Sequence, residues 1–457
     1  MARNRNYAHD LRKLAPGTDP KPGARSSKPY TEPATDIGTQ PAKAVTVNTR
    51  KRAEGGTLRV APGKSSKRRW LALAVLGALS LALGLWGAVR WLPWAGPLAA
   101  DVLRKIVGRD AVTFLEETWS GVKDRLHLAR GKAEQPRSLE ELKREPPGLP
   151  ASPPVQSVAP PELRFRPADV PAMNPSVAGK GDGAWRPIPD PLRPSAPPAL
   201  FTTLLHPDVK RPWAEVFVIV AELSAVRLHA VPGTVEPVAT TPEGLTLERP
   251  GLIPEEHREQ LLGVFNGGFK SEHGRHGMFV SGVTLAPARG GLCTIAGFDD
   301  GQVRIGTWER LAPALATQAS AVVFWRQAAP CMVEEGALHP GLRDQGTRQW
   351  GATIDKQTVI RRSAIGLDAA RKVLFVAITN DTTAPAIAAA LRHAGASDVA
   401  QLDVNWPYPK FVLFPADGTG VRHATSLFKG FLVGKDDFVR KPSPRDFFYL
   451  ESRSTHP

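Results

Sequence analysis

The sequence predicts an α+β protein whose head domain, with a mixed β-sheet and a βαβ unit, follows a single transmembrane helix and disordered or proline-rich segments. Three observations predict this arrangement. Residues 70–89 are apolar and uncharged, residues 146–198 contain 16 prolines, and residues 199–457 alternate β-rich runs with turn residues. At 457 residues, the chain has room for more than one folded unit.

The N-terminal residues 1–69 carry most of the charge, with 16 Lys and Arg against 5 Asp and Glu, which is +11 of a total of +15. They are rich in Pro, Gly, Ser and charge and lack apolar periodicity, so they cannot bury enough surface to offset the entropy of ordering them. We therefore predict a basic, disordered cytoplasmic tail. A nucleic-acid-binding arm is the alternative, and the lack of a nucleic-acid motif in this segment argues against it.

Residues 70–92 are predicted to form a transmembrane helix, because about 20 apolar residues suffice for a helix to cross the hydrocarbon core. The basic cluster 67–69 directly precedes the apolar run, which places the N-terminus in the cytoplasm. A cleavable signal peptide is the alternative, but the leader before the run is too long for one. We expect a single-pass protein of the inner (cytoplasmic) membrane with a periplasmic or otherwise extracytoplasmic head.

Two segments are predicted to separate the membrane from the head. Residues 93–145 place apolar side chains near one helical face with charge opposite, which predicts an amphipathic helical spacer, or alternatively a helical cap on the head. The proline density of residues 146–198 excludes a continuous helix and favours an extended linker. The head domain is then predicted to span residues 199–457.

The first half of the head is rich in strand signals. Residues 214–231 predict two strands, and the β-rich runs 277–285, 303–308 and 321–327 have the same character. The turn residues 299–301 predict a hairpin.

The second half predicts a βαβ unit, with strands at 372–380 and 399–404 and a helix at 383–396 between them. The strands of such a unit are parallel, so their carboxyl ends meet at one edge, where open sheets usually bind ligands. A carboxylate inside an apolar strand is costly unless it is paired, hydrogen-bonded or catalytic, whereas side chains after a strand often cap loops. The polar residues expected at this edge are Asn380, Asp381, Asp403 and Asn405.

Three blocks of this head together resemble the phosphodiester glycosidase family: NGGF at 266–269, RSAIGLD at 362–368, and the strand, helix and LD step that ends at Asp403. The resemblance covers roughly residues 216–433. It implies an α+β domain that hydrolyses the bond between the anomeric carbon of a sugar and a phosphate. Where the family continues with a glycine-rich loop, residues 402–411 read LDVNWPYPKF, so the pocket must differ in shape.

The resemblance and the residue chemistry together predict the site. Gly267 and Gly268 allow a tight turn that directs Asn266 and backbone amides toward a ligand. Arg362 offers a planar fork suited to a phosphate diester. Catalysis at an anomeric centre normally requires two carboxyl groups, and the candidates are Asp403 with Glu272 or Asp381. The further residues predicted to bind substrate are His273, His276, Asn380, Asn405, Trp406 and Tyr408.

No cofactor is predicted. His273 and His276 could join Asp403 or His423 in a divalent cation site, but the segment is broken by glycines and carries no metal-binding motif. Cys293 and Cys331 lie in the part of the chain expected in an oxidising compartment. They either form a disulfide that closes a loop of about 40 residues or remain buried thiols.

Three function classes follow from these observations. The first is an envelope hydrolase acting on a sugar 1-phosphodiester or a related glycan linkage. The second is a catalytically inactive module that binds a glycan or the cell wall, which the missing glycine-rich loop favours. The third is a tethered scaffold that binds another envelope protein. The hydrolase hypothesis requires Asn266, Arg362 and Asp403 to line one cleft.

Overall fold

The computed structural model describes residues 136–142, 165–193, 196–343, 347–351, 359–404, 408–417 and 419–453, together with Asp124 and Leu128. The predicted tail 1–69 and transmembrane helix 70–92 lie outside the described residues, as does most of the predicted spacer 93–145. Among the residues that are described, no helix has both the length and the apolar character needed to cross a membrane.

The described residues form eighteen strands in three sheets. The strands are β1 (Arg186–Ile188), β2 (Leu200–Leu205), β3 (Val216–Glu222), β4 (Val226–Val231), β5 (Leu261–Asn266), β6 (Met278–Val280), β7 (Val283–Ala286), β8 (Cys293–Phe298), β9 (Val303–Thr307), β10 (Val322–Ala328), β11 (Val333–Glu334), β12 (Ala337–Leu338), β13 (Ser363–Leu367), β14 (Val373–Thr379), β15 (Asp398–Gln401), β16 (Phe411–Leu413), β17 (Thr425–Ser426) and β18 (Phe447–Ser452).

The α-helices whose bounds are described are α1 (Leu139–Leu142), α2 (Pro242–Thr246), α3 (Trp308–Thr317), α4 (Pro340–Arg343) and α5 (Ala384–His393). Short 3₁₀ helices lie at Pro175–Val177, Glu255–Gln260, Ser271–His273 and Thr347–Trp350. Strands therefore dominate and the helices are short, as expected for the predicted α+β class.

The largest sheet has eight described strands in the order β1-β2-β3-β14-β13-β15-β11-β12. β14 and β15 are both antiparallel to β13, which lies between them, so they run parallel to each other. The helix α5 connects these two strands. The predicted βαβ unit is present, but with an antiparallel strand inserted between its parallel strands. The insertion brings the beginning of β13 to the edge at which β14 and β15 end.

The other two sheets each have five described strands, in the orders β7-β6-β10-β8-β9 and β17-β16-β5-β18-β4. All three sheets contribute side chains to one hydrophobic core, which includes Phe217, Phe324 and Phe448. A second apolar cluster packs α5 against the largest sheet through Leu391, and a third packs α3 against the second sheet through Leu315. The core therefore lies between the sheets, and the helices cover outer faces.

The end of the βαβ unit differs from the prediction. The strand predicted at 399–404 ends at Gln401, so Asp403 lies beyond the strand and not inside it. The physical reason is a change of hydrogen-bond partner. The N–H of Leu402 still donates to the carbonyl of Ser363 in β13, whereas the N–H of Asp403 donates to the carbonyl of Gly267.

Packed structure extends N-terminal to the predicted domain boundary at residue 199. β1 pairs with β2, and Trp185, directly before β1, is buried. Farther upstream, Nε of Arg137 lies 2.7 Å from Oε1 of the buried Glu215. Parts of the chain predicted as spacer and linker therefore contribute to the folded head.

The two cysteines are joined by a disulfide. Cys293 is the first residue of β8, and Cys331 follows β10 in the chain, with a sequence separation of 38. The bond links the second sheet to the segment that leads into β11 of the largest sheet. Of the two alternatives for these cysteines, the structure has the disulfide.

Candidate active site

Polar residues from separate strands meet at the edge where β14 and β15 end. The hydroxyl of Ser363, the first residue of β13, donates to the carbonyl of Asp403 and accepts from Nδ2 of Asn266, both at 2.8 Å. Asn266 is the last residue of β5 in the third sheet. The structure thus brings Asn266 and Asp403 together through Ser363, a residue that was not predicted.

A protein carboxylate holds the turn formed by Gly267 and Gly268. The N–H of Gly267 donates to the carbonyl of Asp446 and the N–H of Gly268 donates to Oδ2 of Asp446, both at 2.9 Å. A Cβ atom on Gly267 would lie 2.2 Å from that Oδ2, and one on Gly268 would lie 2.8 Å from Cζ of Arg326. Glycine is therefore required here for close approach to Asp446 and Arg326. The amides predicted to face a ligand are bonded to Asp446.

Asp446 is held in turn by Arg326 from β10. Nε of Arg326 lies 2.9 Å from Oδ2 of Asp446, and the two side chains are 0% and 2% exposed. Arg326 also donates to the carbonyls of Phe269 (2.8 Å) and His276 (3.1 Å). This buried pair fixes the turn and the loop that follows it.

Arg362 directly precedes β13, and its guanidinium is buried. It donates to the carbonyls of Trp350 (2.5 Å), Thr382 (3.2 Å) and Gly351 (3.4 Å) and to Oε1 of Gln401 (3.2 Å). Burial lowers its pKa to about 9. The arginine predicted to bind a phosphate therefore directs these donors to acceptors of the protein itself.

The carboxylate of Asp403 forms an ion pair with a different arginine, Arg445. Oδ2 lies 2.5 Å from Nη2 of Arg445, and the side chains are 8% and 12% exposed. The guanidinium lies 4.5 Å from the ring centroid of Tyr408, a cation–π contact. Burial raises the pKa of Asp403 to about 6, although Arg445 and the N–H of Val404 act in the opposite direction. A carboxyl group with this pKa can exchange a proton near neutral pH.

The loop after the turn contains Glu272, His273 and His276. His276 is buried, and desolvation, followed by the charge of Arg326, lowers its pKa to about 3. Its ring is therefore neutral at pH 7. His273 is half exposed, with Nε2 at 3.5 Å from Oε1 of Glu272. Among the described residues, neither histidine belongs to a group close enough together to hold a metal ion.

Asn380 and Asp381 directly follow β14, and both interact with Arg361. Asn380 donates to Oε2 of Glu215 (2.6 Å) and accepts from Nη2 of Arg361 (3.3 Å). Asp381 raises the pKa of Arg361 electrostatically, against the larger lowering effect of burial. Asn405 and Trp406 lie outside the described residues.

Arg326, Arg445 and Asp446 were missed from sequence. Arg326 lies inside an apolar strand, and Asp446 directly precedes one. Both are charged residues beside buried apolar residues, which is the same sequence pattern that indicated a role for Asp403. Their pairing carried no local signal, because Arg326 and Asp446 are 120 residues apart in the chain.

No protein-family model and no curated protein matches the chain. Solved structures similar to it include the catalytic domain of zebrafish N-acetylglucosamine-1-phosphodiester alpha-N-acetylglucosaminidase, auto-inhibited by its pro-peptide. That similarity has 15% identity and a TM-score of 0.38, and it covers 59% of this chain and 88% of that chain. They also include a hypothetical protein from Synechocystis, with 11% identity and a TM-score of 0.31, covering 57% of this chain and 65% of that chain.

Proposed function

We propose that the protein is a membrane-anchored envelope hydrolase that cleaves a sugar 1-phosphodiester or a related glycan linkage. In this proposal Asp403 is the acid–base group and Arg445 binds the phosphate. The observation that carries it is the Asp403–Arg445 pair, 2.5 Å apart, in which a buried carboxyl group has a pKa of about 6. General acid–base catalysis is most effective when the pKa lies near the working pH.

Arg445 has the properties of an anion-binding group. Its planar guanidinium can bind two phosphate oxygens at once, and its contact with the ring of Tyr408 holds it in place. Its Nε is buried without a hydrogen-bond partner among the described residues. A phosphate bound to Arg445 would weaken the effect of that cation on Asp403. The pKa of Asp403 would then rise, which favours proton donation to a leaving group.

Glycoside hydrolysis normally uses two carboxyl groups. Asp446 raises the pKa of Asp403 and is therefore a neighbouring negative charge, but Arg326 and Gly268 engage its carboxylate. We assign Asp446 to positioning the turn. Glu272 and Asp381 stay the proposed candidates for the second carboxyl group.

The membrane part of the proposal rests on the sequence. Residues 70–92 would anchor the chain in the inner membrane, and the basic cluster 67–69 would keep the N-terminus cytoplasmic. The Cys293–Cys331 disulfide supports a periplasmic or otherwise extracytoplasmic head, because disulfides persist in oxidising compartments. A glycan or sugar-phosphate substrate would be encountered on that side.

The test is sugar release from a panel of model sugar 1-phosphodiesters by the purified full-length protein. Asp403→Asn should lower kcat by at least about 100-fold, the range expected for loss of an acid–base group. Asp436→Asn, which removes an exposed carboxylate paired with Arg440, is the control and should leave turnover unchanged. Turnover that persists in Asp403→Asn, at a temperature well below its Tm, would rule out this role.

A catalytically inactive glycan-binding module is the second candidate. The observation that favours it is that the turn amides of Gly267 and Gly268 are satisfied by Asp446, which leaves fewer free donors for a transition state. Glycan binding by the wild-type protein without release of sugar would support this candidate over the hydrolase. Co-purification of a protein partner without any glycan binding would instead favour a scaffold.

A further inference from the structure

A second group of ionisable side chains lies on the third sheet, on the face opposite the shared core. In the β4–β18 ladder, His229 is directly opposite Tyr449, and Glu451 lies two residues farther along β18. Alternate residues of a strand share a face, so these three side chains are neighbours. Nε2 of His229 lies 2.7 Å from Oε2 of Glu451, and the imidazole stacks on the ring of Tyr449 with centroids 4.5 Å apart.

A second histidine approaches this group from another element. The 3₁₀ helix Glu255–Gln260 carries His257, whose ring centroid lies 4.7 Å from that of His229. Nδ1 of His257 is hydrogen-bonded to the hydroxyl of Tyr449. One ring nitrogen of each histidine and one carboxylate oxygen of Glu451 all lie within 4.8 Å of one another.

We propose that His229, His257 and Glu451 bind a divalent transition metal ion of the Zn²⁺ class. Two imidazoles and one carboxylate are a ligand set that Zn²⁺ uses at sites with an open fourth position. Ca²⁺ and Mg²⁺ instead prefer oxygen ligands throughout. The neighbouring tyrosine is a positioning residue, because its hydroxyl engages one ring nitrogen of His257 and so orients the imidazole.

Binding of an ion would require a modest rearrangement of these side chains. Ligand atoms in a tetrahedral site with bonds of 2.0–2.1 Å lie roughly 3.3 Å apart, so the most distant pair would have to approach by no more than ~1.5 Å, which side-chain rotation can supply. His229 and Glu451 are 16% and 18% exposed, which gives an ion access from solvent. A bound ion would connect the helix Glu255–Gln260 to the β4–β18 ladder, because its ligands come from both. This inference does not depend on the Asp403 site.

The test uses the full-length chain without an affinity tag, purified in detergent and stripped of metal with a chelator. Isothermal titration with ZnCl₂ should show one bound equivalent, and Zn²⁺ should raise Tm, because an ion that binds only the folded state stabilises it. His257→Ala and Glu451→Gln should each weaken Zn²⁺ binding by more than about 100-fold. Tyr449→Phe should weaken it by roughly 10- to 100-fold, as expected for loss of a group that orients a ligand.

His423→Ala is the matched control. His423 also pairs with a carboxylate, with Nε2 at 3.1 Å from Oδ2 of Asp417, and its removal should leave Zn²⁺ binding unchanged. His257 lies on a 3₁₀ helix without buried residues, so its variant should fold, and circular dichroism of the metal-free protein verifies this. The proposal is overturned if the wild-type protein takes up no Zn²⁺ or if His423→Ala weakens binding as much as His257→Ala.

Discussion

Nη2 of Arg445 donates a 2.5 Å hydrogen bond to Oδ2 of Asp403, and the two residues are 42 apart in sequence. The pair joins the segment after β15 to the residue that precedes Asp446 and β18. It therefore connects a segment that follows the largest sheet to a segment that leads into the third sheet, at the proposed active site. Its two charges are shielded from water, so each strongly affects the proton affinity of the other.

Removing the positive charge of this pair should raise the pKa of Asp403. Burial has already raised that pKa to about 6, and Arg445 lowers it. Arg445→Met keeps an apolar stem but no charge, so the pKa should rise further by about 1 to 3 units. The carboxyl ¹³C chemical shift of Asp403, followed over pH, measures the change. Arg422→Met, which removes an arginine paired with the exposed Glu259, should leave it unchanged. A pKa that falls in Arg445→Met contradicts the assignment.

Loss of the buried carboxylate at the glycine turn should destabilise the fold. Asp446→Asn leaves the charge of Arg326 without its 2.9 Å partner, and breaking a buried ion pair typically costs about 3–5 kcal/mol. The variant should therefore melt several degrees below the wild type in a tryptophan-fluorescence scan. Asp436→Asn breaks an exposed pair with Arg440 and should cost less than about 1 kcal/mol. Equal Tm values for the two variants would show that the buried pair is not stabilising.

Acid should destabilise the head in part through His276. The folded pKa, about 3, lies below the ordinary value of 6.5, so between these values the unfolded chain binds a proton that the folded chain does not. This contribution to stability is complete above pH 6.5. It is lost as pH falls towards 3, at up to about 1.4 kcal/mol per pH unit.

The replacement His276→Phe keeps a ring but removes this titration. As the pH falls below 6.5, the Tm of the variant should therefore decrease less steeply than the Tm of the wild type, over the pH range in which both proteins are folded. The control is Leu245→Phe, which adds a ring at an exposed position without removing a titratable group and should therefore retain the wild-type slope. An unchanged slope in His276→Phe would mean that other groups cause the acid sensitivity.

The disulfide should contribute measurably to stability. It closes a loop with a sequence separation of 38, and chain-entropy arguments give about 3–4 kcal/mol for a loop of this length. The double variant Cys293→Ala with Cys331→Ala should therefore melt below the oxidised wild type. The comparison is wild-type protein that has been reduced while unfolded and then refolded in reductant. Its Tm should match that of the double variant. A wild-type Tm that does not depend on oxidation would contradict the prediction.

Several local features of the head were predictable because they depend on neighbouring residues. The side chain of Thr383 caps α5 by accepting from the N–H of Ala386, Pro385 lies in the first turn, and Gly395 after the helix has a φ of +113°. The turn at 299–301 likewise joins β8 to β9 as a hairpin. Each of these signals acts over a few residues, so the sequence was sufficient to locate the element.

The sequence also marked Asp403 as unusual, because its charge beside an apolar run is visible without a structure, and it marked Asn266 through the NGGF block. It could not show which guanidinium faces which carboxylate. Arg362 was the arginine expected at the site, as a phosphate-binding group, yet Arg445 is the arginine that contacts Asp403. The insertion of β13 between β14 and β15 and the pairing of β5 with β18 determine these contacts. Ion pairing depends on distance through space, which only the assembled sheets define, whereas caps, turns and apolar runs depend on distance along the chain.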